Sequence, residues 1–168
     1  MNNNILEKLQ KIKKEDKKQF QNLSLTNDQL QFLLDQSFLI KNEKIIAKYK
    51  IIKNFATPNN FTLIIHNLLT KIRLLIDKYN GFEMHIDMLG YTLTSHERIK
   101  NIYTLLFNAC EEDNILFSEK LIKINIYNSP TFIRTLTPFF APFINKTANE
   151  KITLLNKIDS EKMLLNIT

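Results

Sequence analysis

With 168 residues, 44% of them hydrophobic and 24% charged, the chain has the length and composition of one folded domain with its own core. A single cysteine, Cys110, excludes an intramolecular disulfide and fits a reducing, cytoplasmic compartment, and no apolar run reaches the roughly 18 residues of a membrane span. The net charge of +6 invites nucleic acid or an anionic membrane, yet Lys, Asn and Ile are abundant while glycine occurs only twice, a pattern that an AT-rich coding bias produces without selection for a partner.

Residues 5–20 read as a first helix, with Ile5, Leu9 and Ile12 on one face and Lys8, Lys11, Lys14 and Lys18 mostly off it. Its apolar face is narrow and lacks tryptophan, which favours a solvated amphipathic helix over a membrane-surface one. Met1-Asn-Asn-Asn lacks the layout of a signal peptide. Thr26 with Gln29 is a capping box for a short helix ending near Asp35. Phe38-Leu39-Ile40 and Lys44 to Ile52 flank the polar turn Lys41-Asn42-Glu43 and predict a hairpin. Asn60 caps the clearest helix, Phe61 to Tyr79, whose Phe61, Ile64, Ile65, Leu68, Leu69, Ile72, Leu75, Ile76 and Tyr79 form a broad apolar band, with Gly81 just past its end. Phe82 to Leu89 alternates, sending Phe82, Met84, Ile86 and Met88 to one face and Glu83, His85 and Asp87 to the other. Thr94 and Glu97 suggest a capping box for a helix reaching Cys110, and Glu111-Glu112-Asp113 connects it onward. Leu121 to Tyr127 and Lys151 to Leu155 are the remaining strands, separated by a greasy, proline-bearing segment.

Strands alternating with helices predict parallel pairing with right-handed crossovers, and the hairpin adds an antiparallel edge. The expected fold class is therefore α/β with a mixed, mainly parallel sheet. Residues 1–36 are an N-terminal helical extension and residues 37–168 one domain.

The order of three short elements is the most specific feature. Asn128-Ser129-Pro130 closes a strand, Ala141-Pro142-Phe143-Ile144 lies inside the greasy segment, and Glu150-Lys151-Ile152 opens the next strand. Ile86-Asp87-Met88-Leu89-Gly90 ends an earlier strand, and Ile158 to Leu164 closes the chain. Together these resemble the CRAL-TRIO lipid-binding family, with its Asn-Ala-Pro strand end, gate helix, Lys-Pro-Phe-Leu element, Ser-Lys-Ile strand start, Ile-x-Asp-x-x-Gly strand end and Ile-Pro-x-Glu-x-Leu-Pro ending. The resemblance covers about residues 37–168. It implies a sheet covered by a mobile lid over Thr131 to Asn149 that opens at a membrane surface, and a phospholipid or other apolar ligand beneath it.

In that family the phosphatidylinositol-binding members use a glutamate before the Asn-Ala-Pro strand and a lysine at the start of the strand after the gate. Ungapped matching puts Glu119 and Lys151 at those headgroup positions. An ammonium can neutralise a phosphate, and a carboxylate can accept from ring hydroxyls or hold the lysine. Candidate apolar walls are Phe132, Ile133, Leu136, Phe139, Phe140, Phe143 and Ile144 from the lid, facing Met84, Ile86, Ile122, Ile124 and Ile126 from the sheet. Burial contributes roughly 0.8 kcal/mol per CH₂, so acyl chains need a lined tunnel more than polar contacts. The chain also departs from the family. Ala148 replaces a threonine, Ala141 replaces a lysine, the helix between the last strand and the closing segment is missing, and the polar residues that hold a choline headgroup are not evident at Phe82 to Met84.

Two readings follow. One is non-enzymatic binding and transfer of an apolar ligand, with a lipid and a membrane surface as partners, no metal and no cofactor. The other keeps the fold but fills the hollow with side chains, leaving an interaction or structural module, such as a virion or assembly protein, with a protein partner. No basic-aromatic motif supports nucleic acid. His66, His85 and His96 are scattered; His85 beside Asp87 suggests an acid-base pair, but no nucleophile completes a site. Cys110 reads as a small buried apolar residue.

Overall fold

A computed structural model describes residues 25–136 and 150–167. The first helix read from the sequence, residues 5–20, and the lid residues 137–149 lie outside them. Within them the order is α1 (Asn27–Ser37), β1 (Phe38–Lys41), β2 (Lys44–Lys48), α2 (Tyr49–Ile52), a 3-10 turn (Pro58–Asn60), α3 (Phe61–Tyr79), β3 (Phe82–Asp87), α4 (Leu93–Ile99), α5 (Asn101–Glu112), α6 (Phe117–Lys120), β4 (Leu121–Tyr127), a 3-10 segment (Thr131–Leu136), β5 (Ile152–Leu154) and α7 (Lys157–Ile167).

The sheet runs β1-β2-β3-β4-β5 in sequence order. β1 is antiparallel to β2 and the other pairs are parallel, so the mixed, mainly parallel α/β architecture is as expected. Register places Met84 between Ile45 and Ile124, and Ile86 between Ala47 and Ile126, with Ile152 and Leu154 continuing the row on β5. Side chains on this face join the buried band of α3 in one core containing Ile45, Met84, Ile124, Ile64, Leu68 and Ile72. The apolar period of α3 thus meets the apolar alternation of the strands.

Glycine scarcity shapes the turns. Among the described residues the non-glycine positions with positive φ, Asn42, Asn80, Asn114 and Asn128, are all asparagine. Asn tolerates the left-handed region better than other side chains, so it closes the hairpin and caps α3. Gly81 has a different duty: a Cβ there would stand 3.0 Å from the Lys120 carbonyl oxygen, so it permits close approach of the chain entering β4.

Several local expectations are corrected. Strand β2 stops at Lys48, opposite the last residue of β3, and the chain turns into α2 once its neighbour strand ends. Asn60 does not cap α3 by its side chain; it accepts from the Thr57 amide (2.8 Å) and donates to the Phe55 carbonyl (2.7 Å). Thr92, not Thr94, caps α4 by accepting from the Ser95 amide, while Glu97 pairs with Lys100. Glu119, read as lying before the strand, stands with Lys120 in the short helix α6 that leads into β4. The closing segment, expected without a preceding helix, is itself helical in α7. The Thr26 capping box is present as read.

Candidate ligand site

Three of the elements that carried the family resemblance, the ends of β3 and β4 and the closing segment, meet at the carboxyl edge of the sheet. Asp87 ends β3, and its Oδ1 accepts from the Leu89 amide (3.0 Å) and from Asn128 Nδ2 (2.7 Å). Asn128 follows β4 with φ 50°, and its amide donates to Ser160 Oγ of α7 (2.7 Å). The Ser129 amide donates to the Leu155 carbonyl just past β5 (3.0 Å). These bonds stitch the ends of three parallel strands and α7 together. The aspartate and asparagine of the two motifs therefore have a structural duty here.

The apolar wall divides along its length. Met84, Ile124 and Ile133 are buried within the core shared with α3. Ile86, Ile126 and Phe132 are only half-buried against it, as is Leu154, and the three strand positions are the last apolar ones before the carboxyl edge. Ile122 stands apart, 51% exposed. A bulge pairs Phe82 with Leu121 but Glu83 with Lys123, so Ile122 has no place in the row of Ile124 and Ile126. It lies against Gly81 instead. Leu136 ends the 3-10 segment, and Phe139, Phe140, Phe143 and Ile144 fall outside the described residues.

Beside that half-buried patch is an aromatic and polar cluster. Tyr49 enters α2 directly after β2, Tyr91 follows the Gly90 turn after β3, and His96 and Tyr103 lie on α4 and α5. The Tyr91 hydroxyl is 3.0 Å from His96 Nδ1 and 3.0 Å from the Tyr103 hydroxyl. Tyr49 packs edge-on against Tyr91 at 4.8 Å between centroids, and Phe132 stacks on Tyr91 at 6.0 Å. Burial lowers the pKa of His96 and raises that of Tyr91, so the cluster is neutral near pH 7. The Tyr49 hydroxyl is buried with no hydrogen-bond partner.

Glu119 and Lys151 come to the opposite, amino edge. Lys151 Nζ donates to the carbonyls of Ser118 (3.0 Å) and Leu121 (2.5 Å), the first of these adjoining Glu119 in sequence. Glu119 is exposed on α6 and Lys151 is half-buried. Two of the three donors of the ammonium are thus engaged by backbone.

The second face of the sheet carries a buried polar chain. Asn125 Nδ2 donates to the Tyr127 hydroxyl (3.4 Å), Tyr127 is 2.8 Å from His85 Nδ1, and His85 Nε2 is 2.9 Å from Glu83 Oε2. One neutral tautomer satisfies all of it: Tyr127 donates to Nδ1 and Nε2–H donates to Glu83. His85 therefore pairs with Glu83 and not with Asp87, whose carboxylate is held by Leu89 and Asn128. Among the described residues no His, Cys, Asp and Glu set has metal-site geometry. Cys110 is buried, and burial pushes its thiol up to about 11, which makes it a poor nucleophile.

Sequence reading missed the tyrosine cluster. Tyr49 looked like a mid-strand residue, and only the seven-residue spacing of His96 and Tyr103 on helical sequence hinted that they share a face.

No protein-family model and no curated protein sequence matches the chain. Solved structures do. The crystal structure of Sfh5, a CRAL-TRIO protein, superposes with a TM-score of 0.54 at 14% sequence identity, over 82% of this chain and 51% of that one. The fold is therefore CRAL-TRIO-like, and the chain spans about half the length of this neighbour.

Proposed function

We propose that this chain binds, and carries, a phospholipid or other apolar ligand beneath the segment from Thr131 to Asn149, without catalysing a reaction. The observation carrying the reading is the CRAL-TRIO-like fold combined with half-buried Ile86, Ile126, Leu154 and Phe132 where the parallel strands end. In open parallel sheets, ligands favour the crevice outside the carboxyl ends of the strands. The segment between β4 and β5 shuttles between a closed position in water and an open one at a membrane surface, and the carrier works in the cytoplasm. If the ligand is a phosphoinositide, Glu119 and Lys151 are its headgroup contacts. The test is uptake of fluorescent lipid from labelled vesicles. Saturable, stoichiometric uptake supports the reading; its absence across neutral and anionic lipids refutes it. Should phosphatidylinositol be taken up, Glu119→Gln and Lys151→Ala are expected to weaken it by roughly tenfold each, the worth of one charge-assisted hydrogen bond.

A second reading, an interaction or structural module on the same scaffold, is favoured by one observation. Met84, Ile124 and Ile133 lie in a continuous core with α3, so part of the proposed wall is met by protein.

A further inference from the structure

A buried phenol with neither donor nor acceptor satisfied is uncommon in folded proteins, because water would have satisfied both in the unfolded chain. Tyr49 is 4% exposed, and its hydroxyl reaches no partner. Its neighbours do not need it. The Tyr91 hydroxyl can donate to His96 Nδ1 and accept from Tyr103, so its one donor is spent, and Tyr49 takes no part in the bonds that hold it. The orphan is therefore not a missing link in the neighbouring hydrogen-bond chain. It is a spare donor in an aromatic box, with the ammonium of Lys53 5.9 Å from the centre of its ring.

We propose that Tyr49 is the anchor for an oxygen acceptor at the end of a single-chain apolar ligand, of the fatty-acid class, entering at the carboxyl edge of the sheet. This rests on the ligand-binding reading above and narrows it. The acceptor oxygen takes the Tyr49 hydroxyl proton, and Lys53 favours a carboxylate over a neutral head. The acyl chain then runs along half-buried Ile86, Ile126 and Leu154, with Phe132, stacked on Tyr91, as the side chain displaced on entry. The amino edge suits such a head less well, since Lys151 already spends two donors on the Ser118 and Leu121 carbonyls.

The experiment compares full-length wild type with Tyr49→Phe, which keeps the ring and removes only the hydroxyl, using displacement of a fluorescent fatty acid by oleate, by phosphatidylinositol and by a hydrocarbon of equal chain length. Wild type is expected to prefer oleate to hydrocarbon. Tyr49→Phe is expected to lose roughly tenfold in oleate affinity, with hydrocarbon binding unchanged, the ordinary worth of one lost hydrogen bond to a charged group. Its thermal midpoint without ligand should not fall, since no protein hydrogen bond is lost, and this separates a ligand role from a structural one. Equal oleate affinity in the two proteins overturns the inference and leaves the carrier reading standing. So does preference for phosphatidylinositol with no effect of Tyr49→Phe. If wild type binds none of the three, the carrier reading and this inference fall together.

Discussion

Asp87 and Asn128 show how a motif can belong to the fold before it belongs to a ligand. Each sits at the end of its strand, and the 2.7 Å bond between them ties β3 to β4 where the ladder stops. Asn128→Ala removes that donor and puts a branched-at-Cβ-free but non-glycine side chain at φ 50°, where Asn is better tolerated. We expect a loss of about 1–3 kcal/mol in denaturant-unfolding stability; a change within error would show the bond to be dispensable. The Glu83–His85 pair gives a pH prediction. Burial lowers the pKa of His85 below its ordinary 6.5, even though Glu83 acts to raise it. Burial acts to raise Glu83, but the His85 hydrogen bond and the Lys123 charge prevail and leave it below 4.5. Both folded pKa values are depressed, so as pH falls the unfolded chain takes up protons first. The stability tied to His85 is present above about pH 6.5 and is lost as pH falls through its folded pKa; that tied to Glu83 is lost further down. The unfolding midpoint should therefore drop as pH falls below about 6.5, and His85→Gln should flatten that drop.

At the scale of elements, patterns that rest on burial were legible, and those that rest on ends were legible only in part, as in the Thr26 capping box. The alternation of Leu121 to Tyr127 and the apolar band from Phe61 to Tyr79 placed β4 and α3 at the bounds they have, because packing of one face enforces the period, although Tyr79 at the end of the band is itself exposed. The hairpin was legible through its polar turn, although β2 ends four residues early. Caps were harder. Thr92 and Thr94 are both acceptable as caps of α4, and only the path of the chain after Gly90 selects Thr92. The bulge that sends Ile122 out of its row could not be read from a run of alternating residues, since it is a property of two strands together. Gly81 marks the crossing of α3's end with the start of β4. Gly81→Ala places a methyl 3.0 Å from a backbone oxygen that cannot swing aside, and should cost about 1–3 kcal/mol in a thermal or chemical melt. An unchanged melt would mean that this approach is looser than described. In the core, Ile72→Ala should cost about 2–5 kcal/mol by the same measurement, as for other fully buried aliphatic truncations.

At the scale of the molecule, sequential strand order gathers the ends of β2, β3, β4 and β5 along one edge, and the connections that leave this edge carry the aromatic cluster. This part of the site was not legible in the sequence. Tyr49 comes from the connection between β2 and β3, Tyr91, His96 and Tyr103 from the one between β3 and β4, and they meet only once the sheet is assembled. Glu119 and Lys151 were visible because they lie beside strand motifs, and the fold does bring them to one edge. The division of the wall into a buried half with Met84 and Ile124 and a half-buried end with Ile86 and Ile126 is likewise a tertiary property.

The most direct test of the ligand-binding account is a native mass spectrum of the freshly purified full-length chain, followed by the spectrum after extraction into organic solvent. The account predicts an added mass at one copy per chain that disappears on extraction and is identified in the extract as a lipid. A spectrum of bare protein, from a preparation that also takes up nothing from lipid vesicles, would contradict it.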